Sequence, residues 1–184
     1  MVILGVDPGT LITGYGVIET RPSGVRVIAS GAIKNEGDTN MPERLKLIYD
    51  SLTQVIERIR PDELALETAF YGKNAQSALK LGHARGVAML AAVSHGIPTY
   101  EYSPREVKRA IVGTGTASKQ QVQYMMQSLL HMKDLPKHYD TTDALAVAVC
   151  HLHRNLSIHS NGTFRNWKAF LAAHPEKVHV STRS

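Results

Sequence analysis

One cysteine, Cys150, stands in a chain of 184 residues, so no intramolecular disulfide can staple the fold, and a reducing compartment suits it. No run of about 18 apolar residues occurs, which excludes a transmembrane helix. No basic segment precedes the short apolar run at the N-terminus, so no signal peptide is expected and the cytoplasm is the expected location. Asn161-Gly162-Thr163 matches a glycosylation acceptor and is discounted for the same reason. Internal repeats and low-complexity segments are also missing. Nor is the body of the chain strongly basic. Residues 1–150 hold 16 basic and 15 acidic side chains, and most of the net charge of +5 comes from residues 151–184. Any nucleic-acid surface on the compact part must therefore come from how charges are placed, not from their sum.

What is present is an ordinary globular composition, 43% hydrophobic and 20% charged, in one domain's length of chain. Val2-Ile3-Leu4-Gly5-Val6 is short and apolar enough for a buried strand and ends at Asp7, with a Pro8-Gly9 turn behind it. Gly14–Ile18 predicts a second strand returning beside the first, and Val25–Ile33 a third, in an antiparallel meander. Pro42 opens a helix carrying Leu45, Ile48, Leu52, Val55, Ile56 and Ile59 at helical spacing, closed by Pro61-Asp62. Glu63–Glu67 is a short strand. Asn74–Ser94 is a helix rich in small residues, whose Gly82 and Gly86 predict close approach to the sheet or to a second subunit. Thr99–Tyr102 is a further strand, and capping boxes at Ser103/Glu106 and Ser118/Gln121 start two more helices. A last helix is predicted over Asp140–Leu156. The order implies an α/β fold, a mixed sheet of antiparallel meander plus parallel strands flanked by helices.

Four carboxylates stand out by position. Asp7 and Glu67 each end an apolar strand, and Asp140 and Asp143 share one face at the start of the last helix. Singly, each has a plain reading: a turn residue, a strand-end surface acid, a helix cap. Jointly, they would repel one another unless a cation relieved them. Mg²⁺ uses a few carboxylates plus phosphate oxygens, and two such ions can activate a water and stabilise the leaving oxygen at phosphorus. That chemistry is phosphodiester hydrolysis. Competing motifs fail. Gly113–Lys119 has Ser118 where a phosphate loop requires glycine. Cys150, His151 and His153 are too closely spaced on a helix to share a metal.

Gly5-Val6-Asp7-Pro8-Gly9 with Gly14-Tyr15-Gly16-Val17, then Glu67-Thr68-Ala69-Phe70, Asn74–Gly82 and Asp140-Thr141-Thr142-Asp143-Ala144-Leu145-Ala146 together resemble the RuvC family of bacterial Holliday junction resolvases. The match runs in order over residues 2 to about 153, with Thr141-Thr142, Tyr71 and the C-terminal segment as departures. The resemblance implies an RNase H-like nuclease domain over residues 1–156; it does not cover residues 157–184, whose basic charge and lack of clear periodicity predict a flexible tail. It implies a homodimer that resolves four-way DNA junctions by paired symmetric nicks, leaving 5′-phosphates, in recombination and repair. The cofactor it implies is Mg²⁺, two ions per site, with Mn²⁺ substituting, and the catalytic and metal-ligating set is Asp7, Glu67, Asp140 and Asp143. The family's core lysines fall on Lys108 and Lys119 and its aromatic on Phe70. Tyr71 beside Phe70 would stack on junction bases, and Lys73, Lys80, Arg85 and Arg109 would contact phosphates. Contact with the RuvA–RuvB branch-migration complex is implied too. An actin-like ATPase would need a duplicated lobe that this length and lack of repeat cannot supply. A non-catalytic junction-binding module would leave four converging acids without a purpose.

Overall fold

The computed structural model describes residues 1–22, 24–35, 39–68, 75–132, 136 and 138–159, the last three by backbone only. Five strands form one sheet: β1 (Val2–Asp7), β2 (Ile12–Arg21), β3 (Gly24–Lys34), β4 (Glu63–Glu67) and β5 (Thr99–Tyr102), in the order β3-β2-β1-β4-β5. The first three pair antiparallel, and β1–β4 and β4–β5 pair parallel, so the predicted mixed sheet is present. Five helices flank it: α1 (Met41–Ile59), α2 (Ala75–Val93), α3 (Pro104–Val112), α4 (Lys119–Leu129) and α5 (Tyr139–His159). None of them is long and apolar enough to cross a membrane.

Local chemistry sets the ends of these elements. The predicted capping boxes at Ser103/Glu106 and Ser118/Gln121 both form, and a third, Asn40/Glu43, starts α1 at Met41 instead of Pro42. Gly113 closes α3 in the left-handed conformation at φ 87°. The last helix runs past Leu156 to His159.

Strand alternation divides the core in two. Leu4, Val6, Leu64 and Leu66 face α1 and α2, packing with Leu52, Ile56, Ala84 and Ala88. Ile3, Ala65 and Tyr102 face the other way, toward α5, α3 and α4. Residues Ala144 to Leu152 of α5 are all buried, because this helix is enclosed between the sheet and α3–α4. It lies unusually close to the sheet. A Cβ on Gly5 would sit 2.0 Å from the Ala144 carbonyl oxygen, and one on Gly14 would sit 2.0 Å from that of Asp140. Glycine at these two positions is what admits the N-terminal half of α5. By contrast, Gly82 and Gly86 of α2 face open space, while its Ala84, Ala88, Ala91 and Ala92 fill the core. The close approach expected at those two glycines therefore does not occur against the sheet. It is alanine that lets α2 lie down.

Candidate active site

β1 and β4 are adjacent parallel strands in the register Val6↔Leu66, so Asp7 and Glu67 come side by side at their C-terminal ends. Both follow residues on the α5 side, Gly5 and Ala65, and by the two-residue period of a strand they point to that side themselves. The N-terminal turns of α5 lie over these strand ends and supply Asp143 and Asp140. An open cleft of about 320 Å³ results, lined by Asp7, Glu67, Asp143, Arg85, Lys108 and Lys119 among others.

The electrostatics follow from this crowding. Burial first, then the charges of Asp143 and Asp140, push the Asp7 carboxyl up to about 7. Burial first, then Asp7 and Asp143, push Glu67 up to about 8. The two carboxyls bear on one another, and as a pair they keep protons into the neutral range. Lys119 Nζ donates to Asp143 Oδ2 at 3.0 Å, and that bond holds the ammonium above its usual range. A half-buried carboxyl pair of this kind, open to the cleft and ringed by cations, is poised to exchange protons for a metal. Among the described residues, no three His, Cys, Asp or Glu side chains already stand as a closed ligand set. The all-oxygen donors fit a hard divalent cation by their chemistry, and Asp143 is meanwhile paired with Lys119.

The predicted site residues divide cleanly. Asp7, Glu67, Asp143, Arg85, Lys108 and Lys119 meet in the cleft. Asp140 does not line it, although its charge is felt at Asp7. Lys80 and Arg109 are exposed and outside the cleft lining. Phe70, Tyr71 and Lys73 lie outside the described residues. Cys150, His151 and His153 share no site: Cys150 is buried, His151 bonds Tyr102 and Glu63, and His153 Nδ1 meets the Ala110 carbonyl at 3.2 Å. The sequence reading missed Glu101, which forms an ion pair with Arg85 and so orients that guanidinium at the cleft. Its only signal was an acid alternating with tyrosines on β5.

A mixed sheet with paired carboxylates at the ends of its two central strands, and more acids on the helix above, defines a metal-dependent nuclease of the RNase H-like class. The sequence model of the family "Crossover junction endodeoxyribonuclease RuvC" matches residues 3–151. The protein of that name from Chloroherpeton thalassium is 45% identical, over 97% of this chain and 99% of its own length. The one from Shewanella oneidensis is 50% identical, over 85% and 90%. The Thermus thermophilus RuvC structure superposes with a TM-score of 0.78 at 32% identity, covering 84% of this chain and 95% of that one. The T. thermophilus RuvC in complex with Holliday junction substrate gives 0.79 at 33% identity, covering 84% and 94%. The chain belongs to the RuvC family, and it is an endodeoxyribonuclease.

Proposed function

We propose that the chain resolves four-way DNA junctions by paired, symmetric nicks that depend on Mg²⁺, in homologous recombination and DNA repair. The observation that carries this reading is the cleft itself. Half-buried acids from β1 and β4 and a third from α5 meet in it under a rim of three cations. Asp7, Glu67 and Asp143 would hold the ions, with Asp140 adding charge from the first turn of α5. Two Mg²⁺ ions held there, replaceable by Mn²⁺, would supply an activated water at neutral pH and offset charge on the departing oxygen.

The chain's own part is to bind and to aim. Lys119, freed from Asp143, and Lys108 reach the phosphate on either side, and Arg85 is aimed by Glu101. Asp7 and Glu67 give up their protons when a cation enters. A water oxygen bonds to phosphorus as the phosphorus–O3′ bond breaks, and a proton from that water passes to O3′, leaving a 5′-phosphate and a 3′-hydroxyl. Lys80 and Arg109 extend the phosphate track outside the cleft. Phe70 and Tyr71 stack on bases at the junction centre, with Lys73 on a neighbouring phosphate.

Paired nicks need two sites related by a two-fold axis. α2 offers the surface: Leu79, Gly82, Gly86, Leu90 and Val93 are all exposed and fall on one helical stripe. Homodimerisation through this stripe, and engagement with a RuvA–RuvB branch-migration complex, belong to the same reading.

One assay tests it. The chain with Mg²⁺ is offered a synthetic four-way junction, a plain duplex and an RNA–DNA hybrid, alongside Asp7→Asn. Paired nicks at the junction alone, abolished in Asp7→Asn while junction binding survives, are expected. Cutting of all three substrates, or an active Asp7→Asn, overturns the reading.

A further inference from the structure

The far end of α5 carries a polar network that nuclease chemistry does not use. His151 is completely buried, with Nε2 2.6 Å from Glu63 Oε2 and Nδ1 2.6 Å from the Tyr102 hydroxyl. Asn155 Nδ2 donates to the same Glu63 oxygen at 2.9 Å. The Arg154 guanidinium carbon lies 5.7 Å from the Tyr102 ring centroid. The Tyr100 ring lies against the imidazole at a centroid distance of 4.5 Å. An ionised Glu63 can only accept, so the imidazole donates from Nε2 and accepts the Tyr102 O–H at Nδ1. Every polar atom of the imidazole is then satisfied. The bonds run in one direction from Tyr102 to Glu63.

These groups lie on three elements, and two of those elements also carry the acids of the cleft. Glu63 and Glu67 are the two ends of β4, four residues apart and so on the same side of the strand. His151 follows Asp140 by three helical turns, roughly 16 Å along the axis, on the same face of α5. Tyr102 is the register partner of Glu67, and its carbonyl accepts from the Thr68 amide at 2.8 Å and hydroxyl at 3.2 Å. Its side chain, meanwhile, reaches His151. Beside Ile3 and Ile18, the sheet meets α5 with Gly5, Gly14, Gly16 and Ala65, small residues whose apolar packing alone does little to stop the helix sliding or rolling. Short directional bonds at a buried point do not allow that.

We propose that Glu63, His151 and Tyr102 are positioning residues. They lock the rotation and depth of α5 against β4 and β5, and so hold Asp143 and Asp140 against Glu67 for cation binding. The inference rests on the carboxylate assignment above. Its outcome differs from that of a merely structural core polar group, which would change stability and leave the affinity of the folded site for metal alone.

Four variants separate these outcomes: Tyr102→Phe, which removes one hydroxyl; His151→Leu; Glu63→Leu; and Glu63→Gln, which keeps an acceptor for the imidazole. Thermal unfolding sets a temperature at which each is folded. At that temperature, Mn²⁺ affinity of the protein alone is measured by calorimetry, junction affinity in Ca²⁺, and nicking at saturating junction against Mg²⁺ concentration. Tyr102→Phe and both leucine variants are expected to bind Mn²⁺ about tenfold more weakly and to nick about tenfold more slowly, since outer partners of metal ligands carry effects of this size. Junction affinity stays unchanged, and Glu63→Gln recovers most of the loss. If the leucine variants do not fold, Tyr102→Phe decides. Unchanged Mn²⁺ affinity and unchanged nicking per folded molecule overturn the inference while leaving the nuclease reading intact. Equal Mn²⁺ binding by wild type and Asp7→Asn overturns both.

Discussion

Asp7 and Glu67 hold protons that the unfolded chain would release. Their carboxyls titrate near about 7 and about 8 in the folded protein, whereas free carboxyls titrate near about 4. Between those values the native state binds more protons than the unfolded one, so metal-free stability falls as pH rises from about 4 to about 8, then levels off. Melting curves in EDTA should show this decline, and saturating Mg²⁺ should remove it, with its largest stabilisation at the alkaline end. Asp7→Asn should flatten the EDTA profile, because one of the two repelling charges is gone. A profile in wild type that is level from pH about 5 to about 8 would show that the pair is not crowded in solution. The same titration makes metal binding release protons, so apparent Mg²⁺ affinity climbs with pH over that window.

At the scale of elements, the site depends on how closely α5 lies on the sheet. Gly5→Ala would put a methyl 2.0 Å from the Ala144 carbonyl oxygen, and backbone cannot swing aside as a side chain can. Overpacking of this kind costs up to about 3 kcal/mol. Chemical denaturation should show a loss of that order. Nicking should fall further than the folded fraction does, since α5 lifts and takes Asp140 and Asp143 with it. A fully active Gly5→Ala enzyme would mean that the helix has slack in it. These elements were readable in advance wherever their ends are set by local chemistry. The boxes at Ser103 and Ser118 formed as predicted, and β4 and β5 kept their predicted limits. For Gly82 and Gly86 the approach to the sheet fails, because a glycine reports only that a side chain is missing. Whether core or solvent fills the space depends on which face the helix turns inward.

At the scale of the whole molecule, the exposed stripe of α2 is the feature a monomer does not explain. Leu79, Leu90 and Val93 are each more than half exposed, and Gly82 and Gly86 between them leave room for a second backbone. Leu90→Glu should leave the fold and the cleft intact, since its side chain already faces solvent, but split the proposed dimer. Sedimentation should report a monomer, and junctions should receive single unpaired nicks instead of coordinated pairs. A dimer that survives Leu90→Glu and Leu79→Glu together would move the two-fold axis to another surface.

The sequence by itself determined which residue types end the strands, where helices begin, and that acids stand at the ends of β1 and β4 and at the start of α5. Those are consequences of turn chemistry, capping and periodicity, and each is written within a few neighbouring residues. Only the tertiary structure decided the rest. It put Arg85, Lys108 and Lys119 into the cleft while leaving Lys80 and Arg109 outside it. It gave Arg85 its partner in Glu101, set Lys119 against Asp143, and joined Glu63, His151 and Tyr102 in one buried chain of bonds. The reason is that a charge on a helix acquires its role from what the opposite element presents. That depends on packing between segments far apart in the chain, down to the two glycines that admit α5.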